Sequence, residues 1–163
     1  MNAELLARFH GVIPAGGVGT RLWPLSRAAA PKFLHDLTGS GSTLIRATYE
    51  RLIPLAGGNI MVVTGRAHRT AVLAQLPEVS DLGLVLEPEP KDSAAAIGLA
   101  AAILYRRNPE TIMGSFAADQ VIGPFRIGHV KLDLVDRSFT VEETLRLGQR
   151  HVDEGAVELG HAD

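Results

Sequence analysis

Residues 11–32 read GVIPAGGVGTRLWPLSRAAAPK, and the rest of the chain is organised around them. Gly11 to Ala15 has the apolar pattern of a short strand. Gly16, Gly17 and Gly19 then remove side chains from three of four consecutive positions. A loop bare of Cβ atoms folds tightly and can bring backbone N–H groups up to an anion. Thr20 and Arg21 follow at once, and Lys32 stands eleven residues beyond Arg21, behind Pro31. Bare backbone followed by two fixed cations suits a polyphosphate.

Three phosphate-binding patterns compete for this stretch. The P-loop, G-x-x-x-x-G-K-S/T, fails because no Lys follows the glycines. The dinucleotide fingerprint G-x-G-x-x-G accepts Gly17 and Gly19 but meets Leu22 where its third glycine belongs. Its ribose-binding acid is also missing, since the second apolar run ends at Val63-Thr64. What remains is G-G-x-G-T-R-L-x-P-L-S followed by P-K. A lone GGxG would be an ordinary strand-to-helix turn with surface cations. Eleven matched positions outweigh that: Gly16, Gly17, Gly19, Thr20, Arg21, Leu22, Pro24, Leu25, Ser26, Pro31 and Lys32.

This pattern closely resembles the signature of the nucleoside-diphosphate-sugar pyrophosphorylases. Trp23 and its neighbours look most like the mannose-1-phosphate guanylyltransferase branch of that family. The resemblance implies that Arg21 and Lys32 are catalytic, stabilising phosphates in the transition state. It implies that Ala15, Gly16, Gly17, Gly19 and Thr20 cradle the nucleotide. The implied reaction is in-line attack of a sugar-1-phosphate oxygen on the α-phosphorus of GTP, with Mg²⁺ as cofactor. Mannose-1-phosphate would become GDP-mannose, and pyrophosphate would leave. Two alternatives stay open: a sugar nucleotidyltransferase using another base or sugar, and a non-catalytic nucleotide-binding or regulatory protein.

Composition bounds the rest. A chain of 163 residues, 46% hydrophobic and 21% charged, has the material for one globular domain with a real core. A net charge of −2 offers no general attraction to nucleic acid or to an anionic membrane. The absence of cysteine excludes disulfides and thiolate metal sites and suits a cytoplasmic enzyme. Glu4 and Arg8 interrupt the first apolar run, so MNAELLARFH does not read as a signal peptide. No stretch approaches the roughly 18 apolar residues of a membrane span, and the expectation is a soluble chain.

In order, strands and helices alternate. GSGS at 39–42 is a turn, with Ser42 as N-cap of a helix through about Leu52 that Pro54 and Gly57-Gly58 end. Ile60-Met61-Val62-Val63 is a continuous apolar run, as in a strand covered on both faces. A helix follows from His68 to Leu76, then a strand at Leu84-Val85-Leu86. Ser93 is read as the cap of an Ala-rich helix to about Arg106, and Ile112 to Phe116 as a fourth strand. The expected fold is α/β, a Rossmann-like parallel sheet with right-handed crossovers and helices on both faces. Ligands of such sheets bind beyond the carboxyl ends of the strands.

Two further motifs fall there. Glu87-Pro88-Glu89-Pro90-Lys91-Asp92-Ser93 resembles the family's base-recognition segment, with looser matches at Lys91, Asp92, Ser93 and Ala95. A carboxylate can accept guanine's N1–H and N2–H₂ together, so Glu87 is a candidate guanine reader with Asp92 or Ser93 beside it. Equally, Glu87 can begin a rigid Pro-braced loop, and Asp92 or Ser93 can cap the helix. Asp119, at the end of the fourth strand, matches the acid that the resemblance assigns to Mg²⁺, although Gln120 follows it where the family commonly has His. One carboxylate with phosphate oxygens and water is enough to start such a site. A capping or solvated Asp is the plainer alternative.

The resemblance covers about residues 11–123, so residues 1–123 form the nucleotide-binding part and 124–163 a divergent tail. In that tail Val130 to Leu134 alternates like a half-exposed strand, and Thr140 to Glu143 is a capping box opening an amphipathic helix. His129, His151 and His161 lack ligand spacing and read as surface residues. No sugar pocket or second metal-binding acid is recognisable, so the sheet is expected to be incomplete, with self-association through its open edge.

Overall fold

The structure is a computed structural model that describes residues 3–17, 22–27, 30–89 and 91–121. A short helix α1 (Ala3–Arg8) leads into β1 (Phe9–Ala15). Then come α2 (Leu44–Ala56), β2 (Ile60–Gly65), α3 (Arg69–Gln75), β3 (Leu84–Glu87), α4 (Asp92–Arg107) and β4 (Ile112–Ser115). The four strands form one parallel sheet in the order β3-β2-β1-β4. The chain steps outward from β1 to β3, then crosses back to lay β4 on the other side of β1. The strand order therefore reverses between β1 and β4, where an open α/β sheet leaves a crevice at its carboxyl edge.

Alternation along β1 and β2 explains why their sequences are apolar without a break. Ile13, Ala15, Ile60 and Val62 face the layer of α2 and α3, packing with Ile45, Tyr49, Leu52, Val72 and Leu76. Val12, Met61 and Val63 face the other way, against Ala96, Ala100, Ala101 and Leu104 of α4. Helices thus cover both faces, as expected. Each fully buried Leu or Ile in these layers is worth about 1.5–3 kcal/mol relative to exposure.

Three boundaries differ from the sequence reading. Thr43, not Ser42, caps α2, its Oγ1 accepting from Arg46 N at 3.4 Å. Asp36 decides this by taking the backbone N–H groups of Thr38, Gly39, Ser40 and Gly41, which keeps the preceding loop closed for one more residue. Those donors hold the Asp36 carboxyl below its usual pKa, Gly41 N–H first among them. Pro54 does not end α2 but lies inside its last turns, where only its own bond to a preceding carbonyl is lost; Gly57, at φ 55°, makes the exit. Ser93 is not a cap either, because α4 begins at Asp92 and leaves Ser93 in its first turn, with Lys91 at the cap position.

Gly19, Thr20 and Arg21 lie outside the described residues, and so do the strand expected at Val130 to Leu134 and the helix expected from Val141. Among the described residues, no helix is long and apolar enough to cross a membrane.

Candidate functional site

β1 delivers the glycine loop directly, since Gly16 and Gly17 follow its last residue. Gly17 has φ 87°, a left-handed conformation that costs other residues energy and glycine little. Beside it, the pairing of β1 with β4 continues past the strand: Phe116 N donates to Val12 O at 2.8 Å and Ala118 N to Pro14 O at 3.2 Å. This backbone register sets Asp119 next to the glycines. Lys32 comes from a 3-10 turn, Lys32–Leu34, and its Nζ lies 3.2 Å from Asp119 Oδ2. Glu87 is the last residue of β3, and Lys91, Asp92 and Ser93 form the start of α4.

All of these line one cleft of about 620 Å³ at the carboxyl edge of the sheet. Of the residues expected from sequence, Gly16, Gly17, Lys32, Glu87, Asp92, Ser93 and Asp119 are brought together there. Ala15 is not among the lining residues: its side chain is buried with Ile13, and its carbonyl accepts from Thr64 Oγ1 at 2.8 Å.

Glu87 is the electrostatic oddity of the cleft. It is 6% exposed, and no hydrogen bond or ion pair reaches it among the described residues. Burial without a compensating donor pushes its carboxyl pKa up. A Cβ on Gly16 would stand 3.5 Å from its Oε2, so the bare glycine keeps the space beside this carboxylate open. Its unpaired oxygens still touch the solvent of the cleft, where a ligand with N–H donors can reach them. Asp92 adds a second irregularity, with φ 67° at the mouth of α4. Such non-glycine outliers concentrate where a site over-determines the backbone.

Comparison with known proteins bears on this geometry. The nucleotidyl transferase family model matches residues 10–131, three quarters of the sequence and every element of the cleft. The chain belongs to the nucleotidyl transferase family. Over 115 residues this nucleotidyl transferase segment is 40% identical to mannose-1-phosphate guanylyltransferase 2 of Escherichia coli, covering 68% of this chain and 24% of that protein. Over 146 residues it is 34% identical to mannose-1-phosphate guanylyltransferase of Klebsiella pneumoniae, covering 88% of this chain and 28% of the relative. A crystal structure described as mannose-1-phosphate geranyltransferase from Thermus thermophilus superposes with a TM-score of 0.64 at 31% identity, over 72% of this chain and 34% of that one. The chain spans about a quarter of the length of the curated relatives it matches.

Nucleotidyl transferases of this family use a divalent metal. Among the described residues no group of three or more His, Cys, Asp or Glu could enclose an ion. Three carboxylates line the cleft without clustering, Glu87, Asp92 and the half-exposed Asp119, which pairs with Lys32. This fits a hard cation that takes one or two carboxylates and fills its sphere with phosphate oxygens and water. Sequence reasoning passed over Lys91, the second cation among the described residues of the cleft wall, because its position reads as a loose match within EPEPKDS. It also passed over the apolar floor made by Phe33, Ala96 and Ile97, which no motif marks.

Proposed function

We propose that the cleft binds GTP and that the protein carrying it transfers GMP to mannose-1-phosphate, forming GDP-mannose and pyrophosphate. The observation that carries this reading is the convergence of Lys32, Asp119 and the unpaired Glu87 on one cleft beside Gly16 and Gly17. Glu87 offers two acceptors to guanine's N1–H and N2–H₂. Lys32, with Arg21 as its partner cation, neutralises phosphate charge, and the backbone at Gly16 and Gly17 approaches the phosphates without side-chain interference. Mg²⁺ held by Asp119 would supply further charge neutralisation at the phosphates. A sugar-phosphate oxygen attacks the α-phosphorus, the bond to the bridging oxygen breaks, and pyrophosphate leaves; no covalent enzyme intermediate is needed. Alignment and charge stabilisation supply the rate.

The test is a screen of nucleoside triphosphates against sugar-1-phosphates for Mg²⁺-dependent pyrophosphate release. Release confined to GTP with mannose-1-phosphate supports the reading. Release with another pair reassigns base or sugar, and tight GTP binding without release makes this chain a nucleotide-binding module.

A further inference from the structure

Lys32 is carried by a turn of three residues, with no side-chain cap at Pro31. Its own backbone bonds are short-range: Leu34 N to Pro31 O, and His35 N to Lys32 O. From outside, Leu44 N donates to His35 O at 3.1 Å and the core takes in Phe33. The next residue, Phe33, is 2% exposed and meets the imidazole of His68 edge-on, with centroids 5.9 Å apart and planes at 86°. His68 closes the turn Arg66–His68 that follows β2 directly, so its ring is a fixture of the sheet's carboxyl edge.

We propose that His68 is a positioning residue: through its edge-on contact with Phe33 it holds Lys32 in place over the cleft, against Asp119. His68 is 9% exposed and makes no hydrogen bond or ion pair among the described residues, so its ring nitrogens turn to the solvent while its carbon edge packs on Phe33. Burial lowers its pKa, which favours the neutral ring. Aromatic edge contacts also fix orientation as well as distance, which an aliphatic side chain does not. The consequence for nucleotide binding rests on the role proposed for Lys32 above; the positional consequence does not.

Zero-length carbodiimide coupling of Lys32 to Asp119 in the ligand-free 163-residue chain, read by mass spectrometry, tests the position. His68→Ala and Phe33→Leu are each expected to lower the yield by about threefold or more, and His68→Phe to restore it. Phe33→Leu keeps the test decisive if His68→Ala does not fold. A parental yield in the folded disrupting variants overturns the proposal. So does a His68→Phe variant that melts like the parent yet fails to restore coupling. A second measurement separates this proposal from the nucleotide reading: His68→Ala is expected to weaken binding of GTP with Mg²⁺ in the parent but not in a Lys32→Met background. Equal loss in both backgrounds overturns positioning through Lys32. Unchanged affinity in Lys32→Met alone sinks the nucleotide reading and leaves the coupling result standing.

Discussion

Lys32 and Asp119 stand 87 positions apart in the chain, yet Nζ and Oδ2 meet at 3.2 Å in the cleft. Their side chains are 33% and 47% exposed, so as an ion pair they contribute at most about 1 kcal/mol to stability. The energetic weakness of the contact is what makes it informative. A pair that holds little of the fold together, placed at the carboxyl edge where the strand order reverses, costs little to break.

Lys32→Met is accordingly expected to weaken binding of GTP with Mg²⁺ by about tenfold or more, equivalent to about 1.4 kcal/mol, while shifting the melting temperature by only a few degrees. Titration calorimetry and a thermal melt on the same sample check both halves. Unchanged affinity would make Lys32 a surface cation.

Asp119→Asn keeps the shape and removes the charge. Mg²⁺ should then no longer tighten GTP binding, whereas binding measured in EDTA should match the parent. A variant that still responds to Mg²⁺ would place the metal on another group.

Glu87→Gln should separate stability from recognition. The folded-state pKa of Glu87 is raised, so the proton binds the folded chain more tightly than the unfolded one. The ionised form therefore destabilises the fold at pH values above the unfolded pKa, and that penalty fades as pH falls through the raised folded pKa. Glutamine removes it, so the variant should melt higher than the parent at pH 7 and by a smaller margin at pH 4. Its amide N–H₂ would face guanine donors, costing about 1–3 kcal/mol of GTP affinity with little change for UTP. Chemical denaturation at the two pH values and competition binding measure these effects. A uniform loss for both nucleotides would assign base choice elsewhere.

Two neighbouring hydroxyls test the start of α2. Thr43→Ala should cost about 1 kcal/mol and Ser42→Ala almost nothing, as read from urea unfolding midpoints. A loss in Thr43→Ala as small as that in Ser42→Ala would mean that neither the bond from Arg46 N to Thr43 Oγ1, 3.4 Å long, nor that from Thr43 Oγ1 to Gln75 Oε1, 3.0 Å long, contributes measurably.

Gly114 of β4 lies between two rings. A Cβ there would stand 2.8 Å from Phe116 and 2.9 Å from Phe9, whose rings meet edge-on at 6.4 Å. Gly114→Ala should destabilise by about 1–3 kcal/mol through overpacking, whereas Gly58→Ala, with open space around it, should be near neutral. Parental stability in Gly114→Ala would show that the two rings move apart freely.

The sequence alone determined the class of the fold and the place of the glycine loop. An apolar run such as Ile60–Val63, with no polar alternation, is tolerated only where both faces of a strand are covered, and glycines next to such a run leave few conformations open. These are local properties, written in neighbouring residues. What neighbours could not encode was decided by packing. Ser42 and Thr43 are chemically almost interchangeable as caps, and only the Asp36-bound loop selected between them. Nothing around Glu87 announces that it is buried and unpaired; that follows from β3 ending beside Gly65 of β2 and from the bare face of Gly16. The meeting of Lys32 with Asp119 depends on β4 pairing with β1 rather than with β3. That choice is made by parallel hydrogen bonds between segments about a hundred residues apart, and no short stretch of sequence carries it.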